Sequence, residues 1–545
     1  MAAVASGCAL AGAGLSTGGT SVKTWRWTAE GIVDAVALRE ARVSGDGRSV
    51  VFARTIVCPE SGPDHRSCAN VWEVDSQTGT FRRRTEGTTL DSSPRPGSGG
   101  LVFLSRPMES PRAAGALLVA GPPGSGAREV ASDVLAFERS PDEGRLASLR
   151  QMPSGPELWI HELASGQARR LFLADGASTS AFAWAPDSRS LVVSVGAGAG
   201  TSPHRLVEVP IAGASRTIVP LSAPAVSVAW STDRSTIAWI EASAESGATA
   251  YLVPAAGGSA RRLTDPAREK ASGVAWTGDG RLALTVIEGL QSRIELVAGA
   301  AGMPGMTLSS GALAVSPGSL SWAHAAEPYV VVGSSAEHPP EVFWGQLPRP
   351  VPSTPDTVGA PPPPVRRLTH SNPLMELLPQ GHQALIRYPL GDGATRPAIL
   401  VEPVAGSKAP TAAVVVIQNC VAEPLQDGWL SDYWRPTHAF AERGALVMLL
   451  EPASLPASPS WVREVESAVK WLVESRAVDS GRIGILHAGD GNPREDVRER
   501  LMGLGVARGR PGAVIHSDCQ LASRARQLQT TRQLLDWFEA VARPH

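Results

Sequence analysis

Four tryptophans, Trp184, Trp230, Trp276 and Trp322, stand 46 residues apart, and each opens a similar stretch: "WAPDSRSLVVSV", "WSTDRSTIAWIE", "WTGDGRLALTVIE" and "WAHAAEPYVVVG". A fixed period of this size means stacked structural units. Degenerate copies around Asp46, Gly97 and Asp142 extend the series to seven.

Each unit has an apolar strand end, a tight turn rich in Asp and Gly, and an alternating run such as Leu191, Val193 and Val195. Period-two alternation marks a half-buried strand. A second hairpin follows, as in "AYLVPAAGGSARRLTDPA", so one period holds four short strands, the content of a propeller blade. Residues 25–350, with the repeats starting near residue 40, therefore read as an all-β seven-bladed propeller. The recurring aspartates read as turn residues that bond to nearby backbone, not as metal ligands. The tryptophans read as blade core, not as a ligand cage.

The formal net charge is −2 and charged residues make up 19%, which excludes the basic surface that nucleic acid requires. No run of 18 apolar residues appears, so no membrane span is expected. Residues 1–24 are low in complexity; they share small apolar residues with an export signal but lack its basic start, leaving cytoplasmic and exported locations open. Among five cysteines, Cys58 and Cys68 bracket a turn-rich loop and are candidates for a disulfide or for two free thiols. His65 between them does not complete a zinc set. Neither cofactor nor metal is expected.

Residues 351–365 fall in a proline-rich stretch that reads as a linker. Beyond it, residues 366–545 alternate strand and helix. "AAVVVIQNC" is apolar throughout, as a buried parallel strand is, and residues 460–478 carry Val462, Val465, Val469 and Leu472 on one helical face. Such alternation indicates an open α/β sheet.

The junction "RRLTHSNP", the stretch "VDSGRIGI" and the terminal "LLDWFEAV", placed after a repeat of this kind, resemble the prolyl oligopeptidase family of serine peptidases, especially its acylaminoacyl-peptidase-like branch. The resemblance implies a propeller followed by an α/β-hydrolase domain, and a serine on a sharp G-x-S-x-G-G turn after "RIGI". Laid on "RIGILHAGDGN", that motif puts Gly489 at the nucleophile position. The oxyanion-binding turn falls on Gln418, Asn419, Cys420 and Val421, and the catalytic histidine on Gln520, which cannot shuttle a proton at neutral pH. In a second register the segment matches a later family strand, with Asp490 as a retained acid and the serine turn missing. Only 56 residues follow Gly489, where a complete sheet needs roughly 65–70 at average element lengths, so the α/β-hydrolase-like domain is expected to be shortened.

Substitutes for the triad are unconvincing. "GLSTGG" at 14–19 lacks a preceding strand, and pairing Cys420 or Cys519 with His487 or His516 competes with plain burial of the cysteines. The leading expectation is a non-catalytic relative whose propeller binds peptides or a protein partner. The alternative is an active serine peptidase of the same family, represented by an incomplete chain.

Overall fold

The computed structural model describes residues 26–543 apart from 59–66, 109–112, 122–125, 173–178, 197–203, 244–246, 298–305, 311–312, 324–327, 348–364, 405–411, 421–422, 452–459, 490–513 and 519–523. The expected linker, His65, Asp490, Cys519 and Gln520 lie almost entirely outside these residues.

The β-rich half is built from antiparallel meanders. Three are separate four-stranded sheets, formed by residues 179–220, 225–262 and 269–310. Residues 314–367 form a five-stranded sheet, and residues 37–172 an eleven-stranded one. Thus the regular four-stranded repeat holds plainly in the middle and blurs before it. Two joins cause this: a parallel bridge between Ala69 and Leu90, and Ala127–Arg139, thirteen residues long, whose first part pairs with Gly115–Ala120 and whose second part pairs with Arg145–Met152. One strand thereby serves two meanders.

The tryptophan repeat stitches neighbouring meanders. Trp184 and Trp230 are buried, and the indole N–H of Trp184 donates to the Glu138 carbonyl at 3.1 Å, while that of Trp276 donates to Ala229 at 3.3 Å. The turn aspartates act locally. Ser44, Ser140 and Ser231 donate hydroxyls to Asp46, Asp142 and Asp233 at 2.6, 2.5 and 2.6 Å, and backbone N–H groups of the same turns complete each carboxylate. Among the described residues no cluster of three His, Cys, Asp or Glu could hold a metal.

The first and last sheets share one core, in which Leu38, Ala41, Val43 and Phe52 meet Val330, Val332, Val342 and Leu368. Residues 366–367, placed in the second domain by the sequence reading, pair with Phe343 and Trp344 and complete this last sheet. On the entering chain, Trp27 and Ile32, the latter on helix α1 (Ala29–Val33), are buried in the core of the α/β half. Burial of an indole whose N–H bonds to Pro379 at 2.6 Å decides this placement.

The α/β half centres on six strands: β1 (Gln383–Pro389), β2 (Thr395–Val401), β3 (Ala412–Asn419), β4 (Ala445–Leu450), β5 (Ile483–Gly489) and β6 (Val514–Asp518). Their order is β1-β2-β4-β3-β5-β6, with β3, β4, β5 and β6 mutually parallel. Alternate residues of β3 go to opposite faces: Val415 and Ile417 meet Trp461, Val465 and Leu472 of helix α3 (Ser460–Arg476), while Val414 and Val416 meet the side of helices α2 (Thr437–Glu442) and α4 (Arg524–Ala542). A continuous apolar strand is what such two-sided burial requires. Gly484 on β5 is needed for close packing, since a Cβ there would lie 2.6 Å from the Trp537 ring of α4. No described helix is long and apolar enough to cross a membrane.

Cys58 and Cys68 form a disulfide, ten residues apart in sequence. Replacing both by serine is expected to lower the unfolding free energy by about 2–3 kcal/mol, because the loop loses its covalent closure; denaturant titration measures this. Trp184→Ala should cost about 3–5 kcal/mol in the same assay, and addition of EDTA should leave the unfolding midpoint unchanged, as turn-bonding aspartates demand.

Candidate active site

In open α/β sheets ligands bind at the carboxyl ends of the parallel strands. Here those ends bring together Gln418, Asn419, His487, Gly489 and His516, with Asn419 in register with Gly489, and Gly489 with Asp518. This edge faces the β-rich half. Arg39 on the inner strand Ala37–Val43 bonds Glu423 at 3.4 Å, Lys270 on the inner strand Glu269–Trp276 pairs with Glu451, and Trp429 N–H donates to the Ser334 hydroxyl at 3.1 Å.

Gly489 ends an extended strand and is not among the residues with positive φ, so the strained turn of a nucleophile elbow is not formed at this residue. A Cβ built on it would lie 3.0 Å from the Asn419 carbonyl oxygen and 3.2 Å from the His487 ring. The space a serine side chain would use is already tight.

The Gln418 side chain is engaged by its neighbours. It is buried, its amide N–H donates to the Glu423 carbonyl at 2.6 Å, and its oxygen accepts from Arg435 at 2.6 Å. Arg435 also holds Asp432 through two bonds of 2.9 and 3.1 Å and lies over the Trp434 ring. Burial pushes the Asp432 carboxyl above its ordinary range, Arg435 opposes the push and Glu423 adds to it. Cys420 is buried and disulfide-bonded, so its sulfur offers no thiol in this state. The Cys420 and histidine pairing weighed from sequence therefore lacks its nucleophile.

His487 and His516 stack at 5.2 Å, with their Nδ1 atoms 3.0 Å apart. One ring must donate and the other accept, which requires at least one neutral imidazole. Burial, reinforced by His516, lowers the His487 pKa to about 4. Asn419 is half-buried beside Gly489. Sequence reasoning missed Asp432 and Arg435, whose only signal was an arginine inside "YWRPTHAF", and it missed the ion pairs that join the two halves.

The fold compares closely with solved peptidase structures. The Pyrococcus horikoshii acylaminoacyl peptidase matches with a TM-score of 0.69 at 13% identity, over 96% of this chain and 98% of that one. A puromycin-hydrolysing peptidase of Mycobacterium tuberculosis gives 0.66 at 14%, over 95% and 97%. A prolyl endopeptidase gives 0.63 at 10%, over 94% and 90%. No protein-family model and no curated protein sequence matches the chain. At these identities the likeness is one of fold: the chain has the fold of the prolyl oligopeptidase family structures, as the sequence resemblance implied.

His161, His438 and His487 are each brought to about 4 from 6.5, burial being the first cause. Because the unfolded chain protonates first, the stability they contribute is complete above pH 6.5 and is lost as pH falls toward 4. Urea midpoints should drop between pH 7 and pH 4.5, and His487→Gln should flatten part of that slope.

Proposed function

We propose that this chain is a non-catalytic member of the prolyl oligopeptidase family, a pseudo-peptidase whose β-rich half is a seven-bladed propeller that binds peptides or a protein partner. The observation that carries the reading is Gly489: the strand that should present a nucleophile ends in a residue with no side chain, in a space closed by Asn419 and His487. The hydrogen-bonded histidine pair and the engaged Gln418 support it, because Nδ1 of His487 is committed to His516, and the Gln418 side chain is committed to Glu423 and Arg435.

The count of seven blades is supported by the shared strand Ala127–Arg139, which divides residues 90–172 into two meanders, and by the common core of the first and last sheets. Division of the chain follows from this reading: a propeller from about residue 37 to 368, with the entering residues 27–36 belonging to the α/β half. The shortening expected from sequence belongs to the proposal too, although the comparison spans 98% of the acylaminoacyl peptidase chain. Neither nucleic acid nor a cofactor has a part in this reading.

Fluorophosphonate labelling of the folded protein, mapped by mass spectrometry, tests it. No serine should be labelled, and Gly489→Ser should not restore labelling, because the adjoining His487 is buried and bonded to His516. Heat-sensitive labelling of one serine would establish the active-peptidase alternative instead.

A further inference from the structure

Three inner strands break register at corresponding places: between Arg39 and Arg42, between Ser92 and Arg95, and between Val134 and Ala136. At or beside these breaks Glu40, Ser93 and Asp133 adopt φ of 56°, 53° and 58°. A non-glycine residue held there is strained, and bulges of this kind re-aim side chains. What they gather here is charge, in the form of Glu40, Arg42, Arg95 and Glu138.

The bonding among these four is uneven. Glu138 engages Arg95 with both oxygens, at 2.7 and 3.1 Å. Burial works against the charge of each, and their mutual attraction outweighs it, raising the Arg95 pKa and lowering that of Glu138. Glu40 accepts the Ser93 N–H and its hydroxyl, which fixes its carboxylate. Arg42 makes one bond, from Nη1 to the Ala41 carbonyl at 2.9 Å, and among the described residues it forms no salt bridge. The residue as a whole is half-buried. Leu38, Ala41 and Val43 enter the core shared with the last sheet, which turns Arg42 to the opposite side, toward Arg95 and Glu138 on the neighbouring inner strands. Burial, with Arg95 adding to it, lowers the guanidinium pKa to about 10, and the opposing pull of Glu138 and Glu40 does not make up the difference.

We infer that Arg42 is a binding site for a carboxylate entering the ring of inner strands, supplied by the free C-terminus or an acidic side chain of a peptide. The four side chains sum to no net charge, so the attraction is local and rests on unspent donors whose planar fork matches a carboxylate. Arg39, three residues nearer the α/β half and bonded to Glu423, stands at the same strand's entrance, with 54% of its side chain exposed. The peptide as occupant rests on the peptide-binding function proposed above; the carboxylate site itself does not.

Calorimetry on the full chain at low ionic strength separates the two. N-acetylated tripeptides of one sequence, as free acid and as C-terminal amide, and the same amide with one internal aspartate, serve as probes, together with benzoate. The free acid or the aspartate peptide should bind at least about tenfold tighter than the plain amide, a loss of one charge-assisted contact. Arg42→Gln should erase that preference and Arg42→Lys keep part of it. Which of the two charged peptides is preferred identifies the source of the carboxylate. Equal binding of all three peptides, or a preference that survives Arg42→Gln, overturns the site while leaving peptide binding intact. Benzoate binding that disappears in Arg42→Gln, with no peptide bound, keeps the site and removes the peptide reading; no binding of any probe overturns both. Thermal unfolding guards against misfolding, since removing an unpaired cation should leave the midpoint unchanged or raise it, whereas Arg95→Gln should lower it by stranding Glu138.

Discussion

Closure of the ring against its own beginning is the constraint on which the rest depends. The strand Ala37–Val43 lies in one core with the last sheet, and the chain enters and leaves the ring at that seam. Asn372 sews the seam: its side-chain oxygen accepts from the Val36 N–H at 2.7 Å and its amide donates to the Val36 carbonyl at 2.8 Å. A single side chain thus satisfies both backbone groups of the entering residue, which strand pairing would otherwise have to do.

Because entrance and exit coincide, the α/β half is held by two strands of chain at one place and by ion pairs elsewhere. Trp27 on the entering side packs against Trp429 and His438 at 5.8 and 5.6 Å, and Arg524 grips Asp34 with bonds of 2.6 and 2.7 Å. Lys270 with Glu451, and Arg39 of the seam strand with Glu423, add ion pairs between the halves, both partly exposed. Exposed pairs are individually weak and screened by salt. The contact is consequently held more by the buried packing of Trp27 and the Arg524–Asp34 pair than by these exposed pairs.

Much of this was legible because the physics is local. The 46-residue period announces stacked meanders, and the Ser-x-Asp turns close within four residues, so their aspartates could be separated from metal ligands without coordinates. The two-sided apolar run 412–417 could be nothing but an interior strand. Other features depend on distant partners. Nothing near Trp27 foretells Pro379, and nothing near Arg367 shows that it pairs with Glu341 and Glu376 instead of opening the second domain. The merging of meanders through Ala127–Arg139 was likewise hidden, since one long strand and two short ones leave similar patterns.

By itself the sequence determined the classes of element, the absence of a serine after "RIGI" and the chemical poverty of Gly489, because identity and spacing are properties of the chain. Only the tertiary structure decided that Gln418 is spent on Arg435 and Glu423, that His487 is paired with His516, and that Arg42 is left with donors to spare. The reason is that availability is a difference between what a group can bond and what its neighbours already take. Those neighbours, 5, 17 and 29 residues away along the chain, are chosen by folding.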